Sequence, residues 1–82
     1  MVMYEEGMLA RSKAGHDKAQ MYIIKEVDDT YVYLVDGRIR TLGHPKKKKK
    51  KHVQIVHGIY NMKELDDAGI RKLIKDWMKE EK

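Results

Sequence analysis

The chain has 82 residues, of which 41% are hydrophobic and 38% charged, and its 18 Lys and Arg against 13 Asp and Glu give a formal charge of +5. This length fits one small domain and excludes a large enzyme architecture, and the core is expected to be thin because a domain of this size buries only about 60% of its unfolded surface. The absence of Cys argues against a disulfide scaffold and a zinc finger, so we expect a cytoplasmic protein.

Residues 1–60 are predicted to form a small barrel of about five strands. Their apolar residues come in short runs rich in Val, Ile and Tyr, separated by Gly, Asp or Lys clusters, which is typical of strands. Short strands at this spacing favour a barrel. The strands are expected at residues 8–13, 20–27, 31–35, 38–42 and 52–56.

The dipeptide Asp36-Gly37 predicts a tight turn between the third and fourth strands, because both residues tolerate the positive φ of a type I′ turn. The resulting register divides the side chains of these two strands between the two faces of the sheet. The core face would hold Val32, Leu34 and Ile39, and the other face Tyr31, Tyr33, Arg38 and Arg40. The two tyrosines could stack on unpaired bases, but we favour packing against a C-terminal helix.

Residues 61–82 are predicted to form a helix that packs on the barrel and is not an independent domain. Apolar residues recur there at helical spacing, namely Leu65, Ile70, Leu73, Ile74, Trp77 and Met78. Asp66 suits the N-cap, with Leu65 and Ile70 forming a hydrophobic staple across it. A capping box made by Asn61 and Glu64 is the rival start of the helix.

The positive charge is concentrated in residues 1–60, which hold 12 basic and 7 acidic side chains. The densest cluster contains Arg38, Arg40, Lys46, Lys47, Lys48, Lys49, Lys50 and Lys51. The adjacent lysines repel one another, so we expect a loop that is mobile until phosphates neutralise it. A merely solvated loop or a membrane-surface patch is the alternative. Because the run does not lie on an amphipathic helix, nucleic acid is the partner we favour.

The remaining polar residues indicate no catalytic or metal site. The four histidines, at positions 16, 44, 52 and 57, are too scattered for metal-ligand spacing, and no nucleophile-and-base pair or phosphate cradle occurs. We therefore expect no enzyme, no cofactor, no metal and no small-molecule substrate. No stretch approaches the roughly 20 apolar residues of a membrane span, so no membrane partner is expected.

Two segments resemble a known family of RNA-binding proteins. Residues 7–20, which read GMLARSKAGHDKAQ, together with residues 22–24 resemble a KOW motif. Residues 31–40 and 45–54 are similar to small bacterial KOW-domain proteins, which in turn resemble the KOW-type large-subunit ribosomal proteins of archaea and eukaryotes. The two segments occur together in the right order and cover about two-thirds of the chain.

The resemblance implies an SH3-like barrel that binds RNA, typically ribosomal RNA, through the motif loop and neighbouring basic segments. It assigns Lys13, Gly15, His16 and Lys18 to the motif loop, and Arg38, Arg40 and Lys46 to Lys51 to the basic strand and loop. Composition alone would describe the first set as a surface turn. The chain departs from the family at Ala19, where Gly is usual, and at His16, where Arg or Lys holds phosphate better at neutral pH.

These observations together predict a mainly β, SH3-like (KOW) barrel of about five strands with a C-terminal α-helix. Its expected function is to bind structured ribosomal RNA through phosphates, in association with the ribosome or translation. Two alternatives stay open. One is a protein-interaction module that contacts ribosomal proteins or RNA polymerase, and the other is a binder of any nucleic acid, DNA included.

Overall fold

The described residues of the computed structural model, 3–13 and 20–80, form five strands that curl into a half-barrel. The strands are β1 (Met8–Ser12), β2 (Met21–Val27), β3 (Tyr31–Val35), β4 (Lys46–Lys49) and β5 (Val53–Ile59). Neighbouring strands are antiparallel, in the order β4-β3-β2-β1-β5. A short 3₁₀ turn, Lys50–His52, joins β4 to β5, and a second, Met62–Glu64, precedes helix α1 (Asp67–Glu80). The predicted mainly β, SH3-like fold with a C-terminal helix is confirmed.

The sheet is buried on both faces, which explains the continuous apolar run at the start of β2. One face is covered by α1 and packs Leu9, Met21, Ile23 and Val35 against Ile70 and Ile74. The inner face of the half-barrel buries Ala10, Tyr22, Ile24, Val32, Leu34 and Val53. Because successive residues of a strand point to opposite faces, residues 21–24 must all be apolar to satisfy both clusters.

Both of the predicted caps are used, each by a different helix. The Asp66 carboxylate accepts a 2.7 Å hydrogen bond from the backbone N–H of Gly69, so α1 has the N-cap that the sequence predicts. Asn61 instead caps the 3₁₀ turn, where it accepts from the N–H of Lys63 and donates to Glu64 at 3.0 Å each. Leu65 packs against the cluster that contains Ile70, as expected for a hydrophobic staple.

The predicted strand at residues 38–42 is wrong, and so is the tight turn at Asp36-Gly37. The backbone N–H groups of residues 36 and 37 both bond to the carbonyl of Arg40, at 2.8 and 3.1 Å, and the chain forms a wider loop over residues 36–44. The physical reason is the buried Asp36 carboxylate, which accepts from the N–H groups of Arg38 and Arg40 at 2.9 and 3.0 Å. Ile39, predicted in the core, is 83% exposed.

The fourth strand is supplied by the lysine run, which was predicted to be a mobile loop. β4 pairs with β3 from Leu34 opposite Lys46 to Tyr31 opposite Lys49. The pairing is possible because lysines are well tolerated on an edge strand, where charged side chains also discourage contact with other chains. β5 is also longer than predicted and runs to Ile59 rather than residue 56.

Candidate nucleic-acid interface

The six consecutive lysines divide into two sets with different surroundings. Lys46, Lys48 and Lys50 are half-buried, whereas Lys47, Lys49 and Lys51 are exposed. Within β4 this division follows from the strand period of two, because alternate side chains point to opposite faces. The sequence predicts all six lysines equally as RNA-binding residues, whereas in the fold only the second set is exposed.

The half-buried lysines have partners within the fold. The Lys48 ammonium donates a 2.8 Å hydrogen bond to the hydroxyl of Ser12, and the Lys46 ammonium lies 5.7 Å from the centre of the Tyr22 ring. Lys50 donates to the carbonyl of Asp29 at 3.1 Å. Its ammonium also lies 5.8 Å from the ring centre of Tyr4. These contacts tie β4 and the following 3₁₀ turn to the rest of the half-barrel.

The exposed lysines form a row along the outer edge of the sheet. Lys47 and Lys49 point to the same side of β4, about 6.7 Å apart along the strand, and the exposed Lys51 follows them in the 3₁₀ turn. The Lys47 ammonium stands 4.3 Å from the centre of the Tyr31 ring, a cation–π contact at the surface. We call Lys47, Lys49 and Lys51 the lysine row.

Two acidic residues lie near this row: exposed Glu26, which pairs with Tyr33 next to Lys47, and Asp28, whose carboxylate is engaged in the turn before β3. The Asp28 carboxylate accepts from the N–H groups of Tyr31 at 2.6 Å and Thr30 at 2.9 Å, and from the hydroxyl of Tyr33 at 3.0 Å. The N–H of Tyr31, followed by that of Thr30, lowers the pKa of Asp28 below its ordinary value, and Tyr33 and Lys47 add to the effect. Bonding to this carboxylate raises the pKa of Tyr33.

Tyr31 and Tyr33 therefore make their polar and ring contacts with Lys47 and Asp28. The predicted packing of both side chains against α1 is wrong. The residues of the sheet that pack against α1 are instead the buried set Leu9, Met21, Ile23 and Val35. Both tyrosines are half-buried on β3, the strand next to the sheet edge, beside the lysine row.

Of the predicted motif loop, the structure describes Lys13, while Gly15, His16 and Lys18 lie outside the described residues. Lys13 is exposed, and its backbone N–H donates a 2.9 Å hydrogen bond to the carbonyl of His52. Lys51 immediately precedes His52, so Lys13 lies at the end of the lysine row. The fold thus brings together two basic segments that are 38 residues apart in the sequence.

Arg38 and Arg40 belong to a different part of the surface. They lie in the loop over residues 36–44, which connects to β4 at the Leu34–Lys46 end of the ladder, whereas Lys49 pairs with Tyr31 at the opposite end. Arg38 is exposed and Arg40 is half-buried. The predicted set of RNA-binding residues is therefore split between the two ends of β4.

Arg38 lies beside basic residues that the sequence analysis did not select. It lines a groove together with Arg71, Lys72 and Lys75 of α1. We call this the loop–helix groove. Its helical residues recur at spacings of one, three and four, which puts them on one side of a helix. The spacing can be read from the sequence. These residues were not predicted as a site because residues 61–82 hold equal numbers of acidic and basic side chains and so carry no net charge.

Among the described residues, no three His, Asp or Glu side chains come together in a way that could hold a metal ion. Nor is any helix in this part of the chain long and apolar enough to cross a membrane. No protein-family model matches the sequence, and no curated protein matches it either.

Proposed function

We propose that the chain is a cytoplasmic RNA-binding module that contacts structured ribosomal RNA through the lysine row and Lys13. The observation that carries the proposal is the division of the lysine run, in which alternate side chains stabilise the fold and the others stand exposed in a row. A run that served only to hold the sheet edge would not need the exposed set.

The proposed mechanism is electrostatic. Ammonium groups on an edge strand hold successive phosphates, and each phosphate that they neutralise releases counterions, which favours binding without reading the base sequence. Double-stranded RNA is recognised mainly by its shape and backbone, because side chains cannot reach base edges in its deep major groove. A row of cations carried by an edge strand and the turn after it is suited to such a backbone.

The resemblance of residues 7–20 with 22–24, and of residues 31–40 with 45–54, to KOW-domain proteins supports RNA, and ribosomal RNA in particular, over other polyanions. The SH3-like half-barrel is also the fold that this resemblance implies. The proposal also includes two points that rest on this resemblance. The chain is a KOW domain, and it associates with the ribosome or with translation.

The test compares two triple variants that remove the same charge. Lys47, Lys49 and Lys51 are changed to Gln in one, and Lys46, Lys48 and Lys50 in the other. The first is expected to weaken binding to a ribosomal RNA hairpin roughly tenfold or more at about 0.1 M salt. It removes the contact of the Lys47 ammonium with the Tyr31 ring, so its melting temperature is expected to fall, but less than that of the second variant. The second is expected to lower the melting temperature, because it removes the contacts to Ser12, Tyr4 and Asp29.

Fluorescence anisotropy measures the affinities, and circular dichroism measures the melting curves. Affinities are read below the melting temperature of each variant. Unchanged RNA affinity in the first variant would contradict the proposal. A duplex DNA of equal length is the second probe, since a chain that binds it as tightly as RNA is a general nucleic-acid binder rather than an RNA-binding module.

Ribosome association is tested by sedimentation of the tagged protein from its own cell lysate, at low salt and at about 0.5 M salt, where loose electrostatic attachment is screened. Persistence with the large subunit at high salt is the expected result. Protein that stays at the top of the gradient in both salts would exclude the ribosome as the target.

A protein-interaction module is the second candidate function, and one observation favours it. Trp77 and Leu73 of α1 line a shallow cavity with Tyr60, and the indole Nε1 of Trp77 is buried with no hydrogen-bond partner among the described residues. A side chain of a ribosomal protein or RNA polymerase could pack into this cavity. Trp77→Ala removes the ring that lines it, so loss of partner capture by a folded Trp77→Ala variant, with capture intact in the lysine variants, would favour this candidate.

A further inference from the structure

The loop–helix groove has a composition that the lysine row lacks. Its basic residues are Arg38, Arg71, Lys72 and Lys75, and its apolar residues include Ile74 and Met78. Ile74 is buried, whereas Met78 is 43% exposed. Cationic and apolar side chains therefore lie next to each other in this groove, whereas all three members of the lysine row are lysines.

The acidic residue of the groove is engaged in the fold. One oxygen of the Asp36 carboxylate accepts from the N–H groups of Arg38 and Arg40, and the other accepts from the side-chain amide of Gln20 at 3.4 Å. Arg71 uses one of its five N–H groups to donate a 2.6 Å bond to the carbonyl of Gly37. The groove therefore keeps a net positive charge with donors to spare.

The loop that forms one wall is held in place by α1. The N–H of Leu42 donates to the Asp67 carboxylate at 2.8 Å, and the carbonyl of Leu42 accepts from the Lys25 ammonium at 2.8 Å. Gly37 approaches the helix so closely that an added Cβ would collide with the carbonyl oxygen of Asp67. A wall fixed in this way loses little conformational entropy when it binds a ligand.

The fixed loop presents a large apolar side chain to solvent. Ile39 is 83% exposed, and it stands between Arg38 and Arg40. An unpaired nucleotide has both of the complementary features, since its phosphate is anionic and the faces of its base are apolar.

We propose that the loop–helix groove binds unpaired nucleotides of RNA. Phosphates lie against Lys72, Lys75 and the guanidinium of Arg38, and a base or ribose packs on Met78 and Ile39. This inference rests on the proposed function and adds to it a preference for single-stranded segments. Base-paired RNA buries the faces of its bases, so it uses the lysine row and not the groove.

The test uses two double variants that each remove two positive charges from exposed lysines. Lys72→Gln with Lys75→Gln alters the groove, and Lys63→Gln with Lys79→Gln alters cations that do not line it. The probes are a single-stranded RNA and the blunt RNA duplex that contains it. The groove variant is expected to bind the single strand about three- to tenfold more weakly and the duplex as before, whereas the matched variant changes neither.

A second pair of variants leaves the charge unchanged. Ile39→Ser is expected to weaken binding of the single strand severalfold, and Ile59→Ser, which alters another exposed isoleucine at the far end of β5, is expected to have no effect. Equal losses for single strand and duplex in the groove variant would overturn the inference. So would an effect confined to a polyglutamate peptide used as a third probe, because the groove would then be a site for acidic protein.

Failure of the two proposals can be told apart. If the Lys47, Lys49 and Lys51 variant binds both RNAs normally while the groove variant loses affinity for the single strand, the proposed role of the lysine row is wrong and the proposed role of the groove is supported. If the row variant loses affinity for both RNAs and the groove variant for neither, the proposed function is supported and the proposed role of the groove is wrong.

Discussion

A single carboxylate, Asp36, decides how the chain leaves β3. A tight turn after Val35 would have returned residues 38–42 along the strand, but the Asp36 side chain accepts from the N–H groups of Arg38 and Arg40 and closes a wider loop. The side chain thus competes with strand pairing for the same backbone donors. Because Asp36 is buried, those bonds are protected from water and the loop conformation is well determined.

Gly37 is the residue of this loop that tolerates no side chain. Its φ of +78° favours glycine, and a Cβ would meet the backbone of Asp67 and Arg71. Gly37→Ala is expected to lower the free energy of unfolding by about 1–3 kcal/mol. Urea denaturation measures the change.

Gly43→Ala is the matched control for that substitution, since no atom lies within 4 Å of the Cβ position in the same loop. Its effect is expected to stay within about 0.5 kcal/mol. If both substitutions cost the same, the close approach of the loop to α1 does not explain the glycine.

Asp28 gives the stability of the fold a dependence on pH. Its folded-state pKa lies below the ordinary value of 3.8, so its contribution to stability is complete above that value and is lost as the pH falls through the folded pKa. Asp28→Asn is therefore expected to melt at a lower temperature than the parent chain at pH 7. The difference should shrink below about pH 4.

Melting curves at a series of pH values measure this difference. Asp29→Asn is the control, because the neighbouring carboxylate accepts none of the three bonds that Asp28 accepts. A difference between the parent and Asp28→Asn that stays constant from pH 7 to pH 2 would show that ionisation of Asp28 does not contribute.

At the scale of secondary structure, α1 serves two purposes. Its apolar side, with Ile70 and Ile74, covers the outer face of the sheet. Its first turn holds the loop over residues 36–44 through Asp67 and Arg71. The helix therefore completes a core that the five strands leave open, and it also positions one wall of the loop–helix groove.

Ile70→Ala tests the contribution of this packing. The side chain is fully buried, so the substitution is expected to lower the free energy of unfolding by about 2–5 kcal/mol, a large fraction of the stability of so small a domain. Met78→Ala, at a position of the same helix that is 43% exposed, should cost less, about 0.5 kcal/mol. Similar costs for both would mean that the sheet does not depend on α1.

At the scale of the whole molecule, the cations are divided between two regions. The lysine row runs along β4 towards Lys13, and the loop–helix groove lies between α1 and the loop that precedes β4, within a body of 28 × 28 × 23 Å. Over such a distance both regions can touch one folded RNA. The surface would then combine a site for base-paired backbone with a site for unpaired nucleotides.

The salt dependence of binding reports how many phosphates the molecule engages. With about four to six contacts, the logarithm of the association constant is expected to fall against the logarithm of salt concentration with a slope of about −3 to −5. Replacing the lysine row by glutamine should reduce the magnitude of the slope by about 2 to 3. Titrations of an RNA hairpin at several salt concentrations measure both slopes, and a slope near zero for the parent chain would contradict phosphate binding.

The sequence by itself determined the local features of this protein. The strand pattern, the apolar faces of β1 to β3, the caps at Asn61 and Asp66, and the abundance of lysine are each encoded within a few neighbouring residues. Only the tertiary structure decided which basic segment became the fourth strand, because residues 38–42 and the lysine run compete for the same edge of β3. Contacts made by Asp36, Asp67 and Arg71 hold residues 36–44 in a loop, which leaves the edge of β3 to the lysine run. The longest of these contacts in sequence, from Arg71 to Gly37, joins residues that are 34 positions apart. The exposure of alternate lysines and the loop–helix groove both follow from that choice, since neither exists until the strands and α1 have packed.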